Sequence, residues 1–150
     1  MENTRPSWKE YFMSIAEMAA KRSTCLSEAK GAVIVITNKI VATGYSGAPR
    51  GIKNCKFDYC FCRKRSLGYG HGEGHNECLA VHAESNAILS AASLGIMIEN
   101  GEIYCTHFPC EECAKLIINS GIRKIYYKNE YDSKLSKELL QEANIVVEKI

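Results

Sequence analysis

Apolar residues recur three or four positions apart after Ser7, at Trp8, Tyr11, Phe12, Ile15, Met18 and Ala19, which predicts an amphipathic helix from Ser7 to about Lys21 with Ser7 as its cap. Gly31 to Thr37 is a β-branched run, Asn38-Lys39 reads as a turn, and Ile40 to Tyr45 is a second strand, so the pair predicts a hairpin. From Ser46 to about Cys78 no period is sustained, and Gly, Cys, His and charged residues dominate. A long aperiodic segment inside a compact domain is usually functional, disordered or held by something other than a core. Regularity then returns, with helices at about His82 to Ala92, Cys110 to Ser120 and Lys134 to Ala143 alternating with strands Glu102 to Thr106, Lys124 to Tyr127 and Ile145 to Glu148. Alternation of this kind implies crossover connections and parallel strands in the second half. The pattern predicts one α/β domain over 1–150, a five-stranded mixed sheet with helices on both faces, interrupted by a Cys/His-rich insertion at about 46–78.

Composition narrows the function. At 150 residues and 46% hydrophobic, the chain can bury one good core. The formal net charge is +2, with both signs mixed along the chain, so no nucleic-acid partner is expected. Apolar runs such as GAVIVI are strand-length, and MENTRPSWKE lacks the basic-then-apolar order of a secretory signal, so a cytoplasmic, non-membrane protein is expected. Eight cysteines in that setting point to metal binding or catalysis ahead of disulfides.

Two short motifs carry the chemistry. VHAESNAI places His82 and Glu84 two apart at a helix start, and FPCEEC places Cys110 and Cys113 at another. One His and two Cys are ligands zinc prefers, and three protein ligands leave the fourth tetrahedral position open, which is the catalytic pattern. Pro109, just before Cys110, fits a helix entry because proline lacks the N–H that a first turn cannot satisfy. Glu84 is not needed as a ligand, and a carboxylate beside an activated water can move a proton to a substrate nitrogen. Taken alone, a C-x-x-C is common in redox and structural sites, and a His at a helix start is commonly a cap. The order H-x-E then P-C-x-x-C, each at a helix start, is the signature of zinc nucleobase deaminases.

At these residues the chain resembles the cytidine and deoxycytidylate deaminase superfamily, and within it the deoxycytidylate (dCMP) branch. RSTC at 22–25, GAVIV at 31–35, GYSGAPRG at 44–51, HNEC at 75–78, HAESNAI at 82–88 and THFPCEECAK at 106–115 follow the family order. The resemblance implies a three-layer cytidine-deaminase-like fold. It also implies hydrolysis of dCMP to dUMP and ammonia, supplying dUMP for thymidylate synthesis. Catalytic Zn²⁺ would be held by His82, Cys110 and Cys113, Glu84 would move the proton, and the Ala83 N–H would hold the base carbonyl. Ser46 and Gly47 stand where the family meets sugar and phosphate, Ser46 replacing the usual Asn, and Phe108 is a candidate wall for the base.

A basic residue usual after the RSTC cysteine is missing, with Lys30 or Arg50 as candidate replacements. Tyr126, Tyr127 and Tyr131 follow the fourth strand, where one of them could reach a phosphate. For a second, structural zinc the matching positions are Cys25, Cys55, His75 and Cys78, with Cys60 or Cys62 as substitutes. Cys62 and Cys105 also read as small core residues. The family further implies a homo-oligomer, a homohexamer in many dCMP deaminases, with dCTP and Mg²⁺ activating and dTTP inhibiting. Ser93 lies where members commonly carry a basic residue. The alternatives are a related deaminase of another cytosine nucleoside or nucleotide, or of tRNA adenosine, or a zinc module without catalysis.

Overall fold

The computed structural model describes residues 5–59, 61–70 and 72–150. Helix α1 (Trp8–Ala20) precedes β1 (Gly31–Ile36) and β2 (Lys39–Tyr45). The insertion holds one π-helical stretch at Cys55–Tyr59, a single-turn helix α2 (Arg63–Ser66) and a 3-10 turn at His75–Glu77. Then come α3 (Ala83–Ser93), β3 (Glu102–His107), α4 (Glu111–Asn119), β4 (Lys124–Asn129), α5 (Lys134–Glu142) and β5 (Val146–Lys149). The sheet runs β2-β1-β3-β4-β5. β1 is antiparallel to β2 and β3, and β3, β4 and β5 are parallel, which is the expected mixed five-stranded sheet.

Side-chain alternation splits the core in two. Ala32, Ile34, Ile103, Cys105 and Ile125 face α3, α4 and α5, whose Ala87, Ala91, Ala114, Ile117 and Leu140 are nearly solvent-free. Val33, Val35, Tyr104 and Tyr126 face α1. Helices therefore cover both faces. Glycine permits two close approaches that fix the layers: a Cβ on Gly31 would sit 2.0 Å from the Ala16 carbonyl oxygen of α1, and one on Gly44 2.1 Å from that of Ala83 in α3.

Several boundaries differ from expectation for local reasons. Thr37 and Asn38, both at positive φ (46° and 59°), make the hairpin turn, one residue earlier than the pattern predicts, and β2 starts at Lys39. Two-residue hairpins favour such φ values because they match strand twist. Ser7 caps α1 as expected and forms a full capping box: Glu10 N–H donates to Ser7 Oγ at 3.3 Å, and Ser7 N–H donates to Glu10 Oε2 at 2.7 Å. The buried stripe of α1, however, is Phe12, Met13, Ala16 and Ala20. Trp8, Tyr11 and Met18 stay exposed, because the helix carries more apolar residues than its sheet face can cover.

Candidate metal centre and active site

The two motifs meet across the α3–α4 side of the sheet. His82 is the N-cap of α3 and Cys110 that of α4, and neither side chain caps its helix. Their donor atoms turn toward each other instead. Cys110 Sγ and Cys113 Sγ each lie 3.4 Å from His82 Nδ1. A tetrahedral zinc with ordinary Zn–S and Zn–N bonds separates such atoms by about 3.5 Å. The donor set and its spacing fit that ion, and among the described residues these are the one His/Cys/Asp/Glu group with all donor atoms within 4.8 Å. Pro109 immediately precedes the Cys110 cap, and its carbonyl accepts from Ser136 Oγ at 2.8 Å, tying the α4 start to α5.

The backbone that carries His82 is clamped. Gly47 and Val81 form an isolated antiparallel bridge, with Val81 N–H donating to Gly47 O at 2.7 Å and Gly47 N–H returning to Val81 O at 3.2 Å. Asn86 Nδ2 donates to Tyr45 O at 2.8 Å. Asn86 is thus a positioning residue that sequence reading did not single out. Its place in the first turns of α3, one turn after His82, was the available signal.

Electrostatics divide the roles. Burial is the main reason the Glu84 carboxyl titrates above its ordinary range, and the favourable pulls of its own backbone N–H and of His82 do not overcome it. Cys113 Sγ is 3.5 Å from Glu84 Oε2. Cys110 is pulled down to about 4, first by its hydrogen bond with Cys113 and then, against burial, by its bond to His82. The same hydrogen bond, together with burial, pushes Cys113 up. His82 is raised, mainly by the Cys110 hydrogen bond. Lys30 adds a positive charge that both Glu84 and His82 feel.

A cavity opens over this group and is lined by Glu84, His82, Cys110, Phe108, Ser46 and Tyr131 among others. Phe108 is both core and wall: it is 5% exposed, lines the cavity and meets Tyr127 edge-on at 5.1 Å. Ala83 opens α3, and the first N–H groups of a helix have no internal acceptor. The Ser46 hydroxyl donates to Glu28 O at 3.1 Å, accepts from Lys30 N–H at 3.1 Å and lies 2.7 Å from Ser23 Oγ. Its hydrogen bonding is therefore directed into the protein. The three tyrosines do not cluster as expected: Tyr126 stacks on Tyr104 at 4.6 Å on the α1 face, while Tyr131 reaches the cavity.

The Cys55 thiol is raised, first by burial and then by the charges of Cys62, Cys25 and Cys78. Cys25, Cys78 and His75 line the cavity beside the His/Cys/Cys group, and the His75 ring is 5.7 Å from that of His82, edge to face. Cys62 and Cys105 are buried, as small core residues would be. Cys60, named as a substitute ligand, lies outside the described residues. Among the described residues no helix is long and apolar enough to cross a membrane.

Comparison with known proteins agrees with this geometry. The family described as "Cytidine and deoxycytidylate deaminase zinc-binding region" matches residues 6–129. A deoxycytidylate deaminase of Mycobacterium phage D29 is 39% identical over 132 residues, covering 85% of this chain and 98% of that protein. The Schizosaccharomyces pombe deoxycytidylate deaminase is also 39% identical, over 143 residues that cover 94% of this chain and 43% of that protein. This chain thus spans less than half the length of that relative. The crystal structure of dCMP deaminase from the cyanophage S-TIM5, in complex with dCMP and dUMP, superposes with a TM-score of 0.78 at 32% identity, covering 99% of this chain and 100% of that one. With both zinc motifs converging as described and the family match spanning most of its length, the chain belongs to the cytidine and deoxycytidylate deaminase family.

Proposed function

We propose that this protein deaminates dCMP to dUMP and ammonia. The observation that carries the proposal is Glu84, a carboxyl whose burial raises its pKa, beside three zinc-type ligands at the wall of a cavity. His82, Cys110 and Cys113 would hold the metal, which when bound supplies the Lewis acidity that makes water a nucleophile at neutral pH. Glu84 would accept the water proton, pass it to N3 of cytosine as C4 is attacked, and deliver a proton to the departing amine. The Ala83 N–H would orient the base through its carbonyl, and Phe108 would bound the ring. Relatives that carry the name deoxycytidylate deaminase, and a neighbour described with dCMP and dUMP, support the substrate.

The inward-facing Ser46 hydroxyl leaves sugar selectivity to other groups. The test is ammonia release by the zinc-loaded protein from dCMP, CMP, deoxycytidine and adenosine-containing tRNA. A preference for dCMP supports the proposal, and equal rates on deoxycytidine would overturn the nucleotide reading. Such a product would serve thymidylate synthesis in the cytoplasm, where thiolate ligands remain reduced.

A second zinc is proposed on Cys25, Cys55, His75 and Cys78, with Cys60 or Cys62 as substitutes; the charges of Cys25 and Cys78 reach Cys55, and Cys25, His75 and Cys78 line one cavity. Assembly into a homo-oligomer, a homohexamer by family resemblance, is supported by Leu89, Leu94 and Met97, which expose 58, 71 and 78% of their surface along and after α3. Activation by dCTP with Mg²⁺ and inhibition by dTTP rest on the resemblance, and the same ammonia assay with each nucleotide added tests them.

A further inference from the structure

The Cys113 sulfur meets three side chains from the start of α3. His82 Nδ1 lies 3.4 Å from it, Glu84 Oε2 3.5 Å and Ser85 Oγ 3.7 Å. The mechanism above uses the first two and gives Ser85 no part. Its place in the helix explains the contact: His82 is the N-cap of α3, so Ser85 is the third helical residue, the position whose side chain reaches back toward the cap. Both side chains therefore converge on one sulfur across the α3–α4 packing.

Cys113 is 1% exposed, so its sulfur takes its hydrogen bonds from the protein. Metals bind cysteine as the thiolate, which accepts hydrogen bonds and has none to give. The thiol of Cys113 can donate to Glu84 Oε2 at 3.5 Å. A ligating Cys113 loses that bond and needs a donor in return. His82 is itself a ligand, and the Glu84 carboxyl is reserved for the substrate and its water. The half-buried Ser85 hydroxyl is a neutral donor with neither duty, and Cys113 Sγ is the partner the structure gives it. A hydroxyl bonded to an anionic sulfur makes a charge-assisted bond, which fixes the sulfur's orientation and draws off part of its charge.

We propose that Ser85 is a positioning residue for the metal centre, its hydroxyl donating to the Cys113 thiolate and holding that sulfur toward His82 and Cys110. The inference rests on the zinc-deaminase reading above and adds a side chain outside the His/Cys/Cys set that tunes it. It also divides the labour within the HAES run: His82 ligates, Glu84 moves protons, and Ser85 supports the second sulfur, leaving the Glu84 oxygens to the substrate.

The test uses Co²⁺ as the probe, because its thiolate-to-metal absorption reports on the ligating sulfurs themselves. The metal-free full chain is titrated with Co²⁺, and the part of the absorption missing from Cys113→Ser is assigned to Cys113, which separates it from any ion in the insertion. Ser85→Ala is expected to weaken Co²⁺ at this site by roughly tenfold to a hundredfold, the usual range for loss of an outer partner. It should also move the Cys113 absorption to longer wavelength, since a sulfur without its hydrogen bond gives up electrons more readily. Ser85→Thr keeps the hydroxyl and should restore both. Alanine is favourable in a helix, so the denaturation midpoint of metal-free Ser85→Ala should not fall. An unshifted Cys113 absorption in Ser85→Ala, whether or not affinity falls, would overturn the Ser85 assignment and leave the deaminase reading standing. Absence of any Cys113-dependent absorption in the parent chain would overturn both.

Discussion

His82, Cys110 and Cys113 stand at the starts of α3 and α4, helices pinned to the sheet by Ala87, Ala91, Ala114 and Ile117, all essentially solvent-free. Cys25, Cys55, Cys62 and Cys78 lie in segments with no place in the sheet, joined to one another by backbone bonds such as Lys56 N–H to Thr24 O at 3.2 Å. In the first region the hydrophobic core brings the three ligands together. Among the described residues the second has charge proximity around Cys55 and no three donor atoms within 4.8 Å of one another. A site built on packed helices is ready for chemistry, whereas a ligand cluster in a glycine-rich insertion needs its ion to become structure.

The largest expected effect on the preformed side is chemical. Glu84→Gln should keep one zinc on His82, Cys110 and Cys113 and lower kcat for ammonia release by about 10²- to 10⁴-fold, the range for loss of a general acid/base. Next come substitutions that sharpen the contrast between scaffolds. Ile117→Ala, in a side chain buried without exposure, should cost about 2–5 kcal/mol in chemical denaturation and weaken the catalytic site by loosening α4. Cys55→Ser should instead remove one zinc by metal analysis and open 46–78 to limited proteolysis, while the sheet keeps its far-ultraviolet signal. A wild-type zinc content of one per chain would break that side of the comparison.

A pH dependence separates the two regions further. Burial raises the Glu84 pKa in the folded chain, so the neutral acid is the form that folding favours. Its contribution is fully present below the ordinary carboxylate pKa and is lost as pH rises through the higher folded value. In metal-free protein, Glu84→Gln should therefore raise the denaturation midpoint at pH 7–8, and the gap should close near pH 4. A gap independent of pH would show that Glu84 is not desolvated. The smallest effect is expected far from both sites, where Ser7→Ala removes the α1 cap and costs about 1 kcal/mol.

Much of this architecture was legible in the sequence because periodicity and ligand spacing are local. Alternating strand and helix patterns after His82 led to the parallel half of the sheet, and H-x-E with P-C-x-x-C led to the zinc-type group. What was not legible depends on tertiary placement. The stripe of α1 that is buried depends on where β1 and β3 lie, so Phe12, Met13 and Ala16 are covered while Trp8 and Met18 are not. Lys64 sits in an aperiodic insertion where no pattern says which side chain points inward. Ser46 stands at a substrate position by resemblance, and its hydrogen bonds to 23, 28 and 30 emerge once those segments are brought together.

The central claim is that a core-built His/Cys/Cys group and the buried Glu84 beside it deaminate a cytosine nucleotide. The most direct measurement is steady-state ammonia release from dCMP by purified protein of known zinc content, run beside Glu84→Gln of equal zinc content. The account predicts turnover in the first and its near-complete loss in the second with metal retained; equal turnover in both, or none in fully zinc-loaded wild type, would contradict it.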